Sequence, residues 1–179
     1  MRDHGDDNLK PTSSQNKAYS PARKAVHWII LILCIAQFPT GWAIANSHLG
    51  HVGLTQSSWS VFVHRSHALT GAALVVLVAM GVVLRLVQGP VLPPTQATPE
   101  WMGLAASATH VGLGLLLLAL SGTGFIAMYV SRAAAPVHGL LIDAGLALTG
   151  LHIAGALWHQ IVFRDGTLER MLPRFGRRT

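Results

Sequence analysis

Charge is what this sequence has least of. Lys, Arg, Asp and Glu together make up 11% of its 179 residues, against about 25% in an ordinary soluble domain. Acids are the scarcer sign, seven against thirteen Lys and Arg. The charges that exist cluster at the ends and between apolar runs, so no polar coat is left for a separate soluble domain. The net charge of +6 lies mostly in segments flanking apolar runs. Such flanks orient a chain in a membrane, and they exclude a nucleic-acid patch as the reading. Cysteine is nearly absent too. Cys34 alone allows no internal disulfide and no cysteine-based metal motif, and it is assigned to packing. Residues 1–19 (MRDHGDDNLKPTSSQNKAY) lack any periodicity. They read as a disordered polar tail containing His4, not as a signal peptide, because the first apolar run is long enough to stay in the membrane.

What is present in excess is apolar sequence, 51% of the chain. It falls into four runs, each near or above the ~20 residues that cross a bilayer as helix. The expected spans are residues 25–45, 62–87, 103–129 and 137–163, within one domain over 20–164, followed by a basic cytoplasmic tail over 165–179. Ser20 and Pro21 read as N-cap and first residue of the first helix. Pro39 is a candidate kink, and Trp42 belongs to an interfacial belt. Residues 46–60 form a polar loop without one Asp, Glu, Lys or Arg. Between the second and third spans, QGPVLPPTQATPE is a Pro-rich turn.

Arg23, Lys24, Arg85, Arg164, Arg170, Arg174, Arg177 and Arg178 fall on one side, and only Arg65 and Arg132 on the other. That excess predicts both termini in the cytoplasm and an all-α, up-down four-helix membrane bundle.

The runs carry histidine, which is costly in hydrocarbon and asks for a partner. His138 and His152 on the fourth span are fourteen residues apart. Fourteen helical steps return to within roughly 40° of the start and climb about 21 Å. One helix thus presents two imidazoles on nearly one face, one toward each side of a membrane. Depth supplies their partners. His67 opens the second span on the side of His138, and His27 lies in the first turns of span one on the side of His152. Neutral imidazoles facing across a gap suit a haem iron with two axial ligands. His64 is the rival of His67 but sits nearer the headgroups. His110 lies at mid-depth with no depth-matched partner and is assigned to packing or support. Weak metal binding by His48 and His51 in the loop is unsupported, and no role is assigned to Asp143. A histidine-lined metal transporter is the rival reading. It would want ligands clustered near mid-membrane, whereas these lie at two depths with Asp143 the single intramembrane acid.

With these residues in hand, the chain resembles the bacterial cytochrome b561 family of four-helix, dihaem inner-membrane proteins. The matching segments are YSPARKAVHW, HALTG with the following VVLRL, VLPP, AMY, HGLLIDAGLALTGLHIAGALWH and FRDGTLERMLP, from Tyr19 to Pro173. The resemblance implies two b haems. His27 and His152 would ligate the cytoplasmic-side haem, and His67 and His138 the periplasmic-side haem, which is also the pairing reached from depth.

The resemblance places a quinone site after the fourth ligand, where His159 is the candidate proton donor with Trp28 and Arg85 as neighbours. It further implies electron transfer to or from ubiquinone across the inner membrane, foremost as a superoxide oxidase (superoxide to oxygen, ubiquinone reduced). The charge of Arg65 and Arg132 would steer an anionic donor. The alternative is a cytochrome b subunit exchanging electrons with a periplasmic dehydrogenase or hydrogenase. Expected partners are therefore lipid, ubiquinone, and superoxide or a periplasmic redox protein, with no nucleic acid.

Overall fold

A computed structural model describes residues 19–50, 58–89 and 99–172. The described residues are helical without a strand. Four long helices run up and down: α1 (Pro21–Gly50), α2 (Ser58–Gln88), α3 (Glu100–Tyr129) and α4 (Ala135–Trp158). A 3-10 turn over Arg132–Ala134 precedes α4, and a π-helical turn over His159–Phe163 follows it. A short helix, α5 (Thr167–Met171), closes the described chain. All four spans are long and apolar enough to cross a membrane, at 26, 30, 29 and 32 residues. At about 1.5 Å per residue each exceeds the ~30 Å hydrocarbon core, so the spans tilt or reach the headgroups.

The helices turn apolar residues outward. Among the described residues only Val26, Val63, Leu74 and Val78 form a buried apolar core, while Ile32, Trp42, Leu69, Val76 and Leu140 are among many exposed ones. In water this would be unstable; in lipid, apolar side chains face a solvent as apolar as themselves, and close backbone approach holds the helices together. The close pairs are α1 with α2, α2 with α3, and α3 with α4. On α3–α4 the fit is reciprocal. A Cβ on Gly112 would lie 3.1 Å from Leu148, and one on Gly145 would lie 2.8 Å from Leu116.

Local chemistry sets the ends. The Ser20 hydroxyl accepts from Arg23 N–H at 3.2 Å, the expected cap ahead of Pro21 at the first helical position. The Arg23 guanidinium then reaches the last carbonyls of α2, donating to Leu84 at 2.9 Å, Arg85 at 3.2 Å and Gly89 at 2.7 Å. A cation on orphan carbonyls at a helix C-terminus is favourable on both hydrogen-bond and dipole grounds. Gly89 takes φ +73°, the left-handed turn that ends α2.

Three boundaries differ from expectation. α1 continues through Pro39 to Gly50 and α2 begins at Ser58, so most of the expected 46–60 loop is helix. Thr40 stands beside the interruption at Pro39, its hydroxyl within 3.1 Å of both Ala36 and Gln37 carbonyls. α4 does not stay α-helical to Phe163 but widens into a π turn from His159. Part of the segment read as tail is folded: α5 docks on α1, with Trp28 Nε1–H donating to Met171 O at 2.9 Å and Lys24 Nζ to Leu172 O at 3.0 Å.

Candidate cofactor site

His67 on α2 and His138 on α4 face each other near the end of the bundle that holds Gly50, Ser58 and Arg132. Their ring centroids are 6.4 Å apart with planes at 78°. Each ring is fixed by a neighbouring helix in the same way. Thr40 on α1 places its hydroxyl 3.0 Å from His67 Nδ1, and Thr123 on α3 places its hydroxyl 3.2 Å from His138 Nδ1. Each threonine hydroxyl lies within reach of carbonyls on its own helix, Ala36 and Gln37 for Thr40, Ala119 and Leu120 for Thr123. Its proton goes there, so its oxygen accepts from the imidazole. For His138 the assignment is independent of the hydroxyl, because Nδ1 also lies 3.0 Å from Leu120 O, and a carbonyl only accepts. Nδ1 therefore carries the proton, and Nε2 keeps its lone pair for a metal.

The residue after each threonine is glycine, and here a side chain would press on the ring. A Cβ on Gly41 would lie 3.3 Å from His67 Cε1, and one on Gly124 would lie 3.1 Å from His138 Cε1. The imidazoles occupy the volume that any other side chain would take.

At the opposite end, His27 on α1 and His152 on α4 have ring centroids 6.2 Å apart at 59°. Trp28 stands edge-on to His27 at 5.9 Å. Two imidazole nitrogens each about 2 Å from one metal, with ring centres ~1 Å behind them, put centroids roughly 6 Å apart. Both pairs meet that spacing. Close backbone packing joins neighbouring helices in the chain, whereas α4 meets α1 and α2 through these rings across a gap. The donor set and its spacing therefore fit a planar group held between two axial imidazoles. Among the described residues, no three His, Cys, Asp or Glu side chains converge to hold a bare metal ion.

His110 differs from expectation. It has a neighbour at its depth, with its ring 4.8 Å from that of His152 and edge-on to it. That is too close for a shared axial metal. His110 Nδ1–H donates to Ala106 O of its own helix at 2.7 Å. His64 likewise turns Nδ1 to Ser60 O at 2.8 Å. Asp143 is exposed on α4 and makes no hydrogen bond among the described residues. His48 falls in the last turn of α1, and His4 and His51 lie outside the described residues.

Thr40, Gly41 and Thr123 were not singled out from sequence, although a signal for them exists. His27 precedes Thr40-Gly41-Trp42 by thirteen residues, and His110 precedes Thr123-Gly124-Phe125 by thirteen. On the partner helices His67 and His138 are each followed fourteen residues later, by Gly81 and His152. The α1–α2 and α3–α4 pairs thus share these spacings, and His110 stands where His27 does relative to its Thr-Gly pair.

The profile of the family described as "Prokaryotic cytochrome b561" matches residues 18–174. The chain belongs to the prokaryotic cytochrome b561 family. Membership implies haem b and electron transport in a multi-pass membrane protein. This b561 chain is 27% identical over 186 residues to "Probable superoxide oxidase CybB" of Yersinia pestis, covering 89% of this chain and 98% of that one. It is 26% identical over 183 residues to "Cytochrome b561 homolog 2" of Escherichia coli (strain K12), covering 87% and 92%. "Cytochrome b561 homolog 1" of the same organism is 25% identical over 184 residues, covering 87% and 97%. No solved structure matches at a significant level.

The remaining expected residues lie at the end that holds Ser20, Gln88 and Leu172. His159 opens the π turn, with Phe163 5.5 Å from its ring. Its Nδ1 is 2.6 Å from Asp165 Oδ2. Trp28 packs between His27 and the end of α5. Arg85 bridges α2 to α3, donating to Ser107 Oγ at 2.9 Å. No hydrogen bond joins Trp28 or Arg85 to His159 among the described residues.

Proposed function

We propose that this b561 chain is a dihaem cytochrome of the bacterial inner membrane, with both termini cytoplasmic, that passes electrons from superoxide outside to ubiquinone at the cytoplasmic face. The observation that carries the reading is the pair of facing imidazoles at each end of α4, at 6.2 and 6.4 Å. His67 and His138 would hold the periplasmic-side haem, and His27 and His152 the cytoplasmic-side one. Haem b held by these four imidazoles would supply one-electron relay.

The chain's own residues do the rest. Thr40, Thr123 and the Leu120 carbonyl keep Nδ1 protonated on the outer pair, which presents Nε2 as the ligand atom. Arg65 and Arg132 are exposed at the outer end and favour an anionic donor by steering. His159 sits beyond His152 at the other end, where a quinone bound near Trp28 would take protons. The balanced reaction consumes two superoxide, one ubiquinone and two protons and yields two dioxygen and one ubiquinol. The similarity to a protein named as a superoxide oxidase supports this choice of donor.

The test is ubiquinone reduction by the purified protein in detergent with a superoxide source. Superoxide-dependent reduction supports the reading. Its absence with the haem spectrum intact would replace superoxide by a periplasmic dehydrogenase or hydrogenase as the partner. Absence of a b-type α-band after dithionite would remove the haem reading itself.

A further inference from the structure

We propose that Asp165 is a positioning residue that holds His159 as the proton donor to the quinone. This rests on the reading of His159 as the quinone-side residue given above.

The geometry is specific. His159 Nδ1 lies 2.6 Å from Asp165 Oδ2, with 18% of the His159 side chain exposed and none of the Asp165 side chain. The other carboxylate oxygen, Oδ1, accepts from Thr167 N–H at 3.0 Å. Both oxygens are thus committed, one to the ring and one to the backbone that starts α5. The backbone goes to some length to put them there. α4 widens into the π turn at His159, and such turns recur at functional sites. Arg164 then takes the left-handed conformation at φ 49°, which is unfavourable for a non-glycine residue. Gly166 follows at φ 69°, and the chain reverses so that Asp165 faces back onto α4. Burial alone would raise the Asp165 carboxyl. The bonds from Thr167 and His159 outweigh it and hold the group below the ordinary carboxylate range. The buried acid is therefore an anion that accepts a hydrogen bond from the imidazole.

That fixes what His159 does. Its Nδ1 edge is taken by the carboxylate, and Nε2, on the opposite edge, has no hydrogen-bond partner among the described residues. Nε2 donates a proton when the ring carries two, and the carboxylate on Nδ1 keeps that edge occupied so that Nε2 is the edge turned to a substrate. In the step, the Nε2–H bond breaks and its electron pair stays on nitrogen. A new O–H bond forms on a quinone oxygen that has gained an electron from the relay. His159 is left neutral with Nδ1–H still on Asp165, and water from the cytoplasmic side restores the Nε2 proton for the second transfer. Two electrons and two protons convert quinone to quinol.

The experiment uses the full chain with both haems and a short-chain ubiquinone. Asp165→Asn keeps an oxygen for Thr167 N–H and removes the charge. It is expected to lower kcat about 10–100-fold, to leave KM within about threefold, and to leave the haem spectrum unchanged. Asp165→Ser, which also keeps an acceptor for Thr167, is expected to do the same and serves if the Asn variant fails to assemble. His159→Ala should be equally impaired, and adding Asp165→Asn to it should cost nothing more, since the acid acts through the ring. Losses that multiply in the double variant, or wild-type kcat in Asp165→Asn beside an impaired His159→Ala, would overturn the role of Asp165 and leave the quinone site standing. Wild-type turnover in His159→Ala would overturn the quinone reading itself.

Discussion

The hydroxyl of Thr40 on α1 lies 3.0 Å from Nδ1 of His67 on α2. One helix therefore sets the tautomer of an imidazole on the next. The relation is repeated by Thr123 and His138, with one difference: His138 Nδ1 has a second acceptor in the Leu120 carbonyl.

That difference makes a prediction. An acceptor on Nδ1–H raises ligand basicity and favours the oxidised metal. Thr40→Val should raise the midpoint potential of the outer haem by tens of mV, about the value of one hydrogen bond for a one-electron couple. Thr123→Val should raise it less, because Leu120 remains. Redox titration of the α-band would show the two variants in that order.

A side chain at Gly124 should displace the His138 ring. Its added Cβ would meet the His138 ring at 3.1 Å while that ring is tied to Thr123 and Leu120. Gly124→Ala is expected to weaken outer-haem retention about tenfold. Gly122→Ala, where nothing lies within 4 Å, should retain it. Haem content after purification separates the two.

Trp28 ties α5 to α1. Trp28→Phe removes the donor to Met171 O and should loosen α5 by about 1 kcal/mol. A nitroxide placed by Glu169→Cys in a Cys34→Ser background should become more mobile, and haem content should not change.

The same nitroxide reads a pH dependence. Asp165 is held below its ordinary value, with burial opposing and the Thr167 and His159 bonds prevailing. A depressed carboxyl contributes its stability in full above the unfolded value of about 4 and loses it as pH falls through the folded one. The acid's contribution to docking α5 should therefore hold from neutral pH down to about 4 and fade below it. In Asp165→Asn that acid-dependent loss should disappear.

Spans and pairings were legible in the sequence because they follow from long-range regularities: run length, basic flanks, and the return of a helix to one face after fourteen residues. The supports were harder. Thr40 and Thr123 read as ordinary small polar residues until α1 and α3 are seen beside the rings, although the repeated thirteen-residue spacing from His27 and His110 carried the signal. His110 was misread as lacking a neighbour, since depth along one helix does not show that α3 and α4 bring it to 4.8 Å from His152. Asp165 was hidden for another reason. Its place depends on a π turn and two left-handed residues, and neither has a hydrophobic period to betray it.

The most direct test of the account is the number of b haems per chain in the dithionite-reduced, purified protein, measured for the wild type and for single alanine replacements of His27, His67, His110, His138 and His152. The account predicts two haems in the wild type. One should be lost with either member of the His67–His138 pair, and the other with either member of the His27–His152 pair, while His110→Ala keeps both. A single haem in the wild type, or a haem lost with His110 and kept without His27, would contradict it.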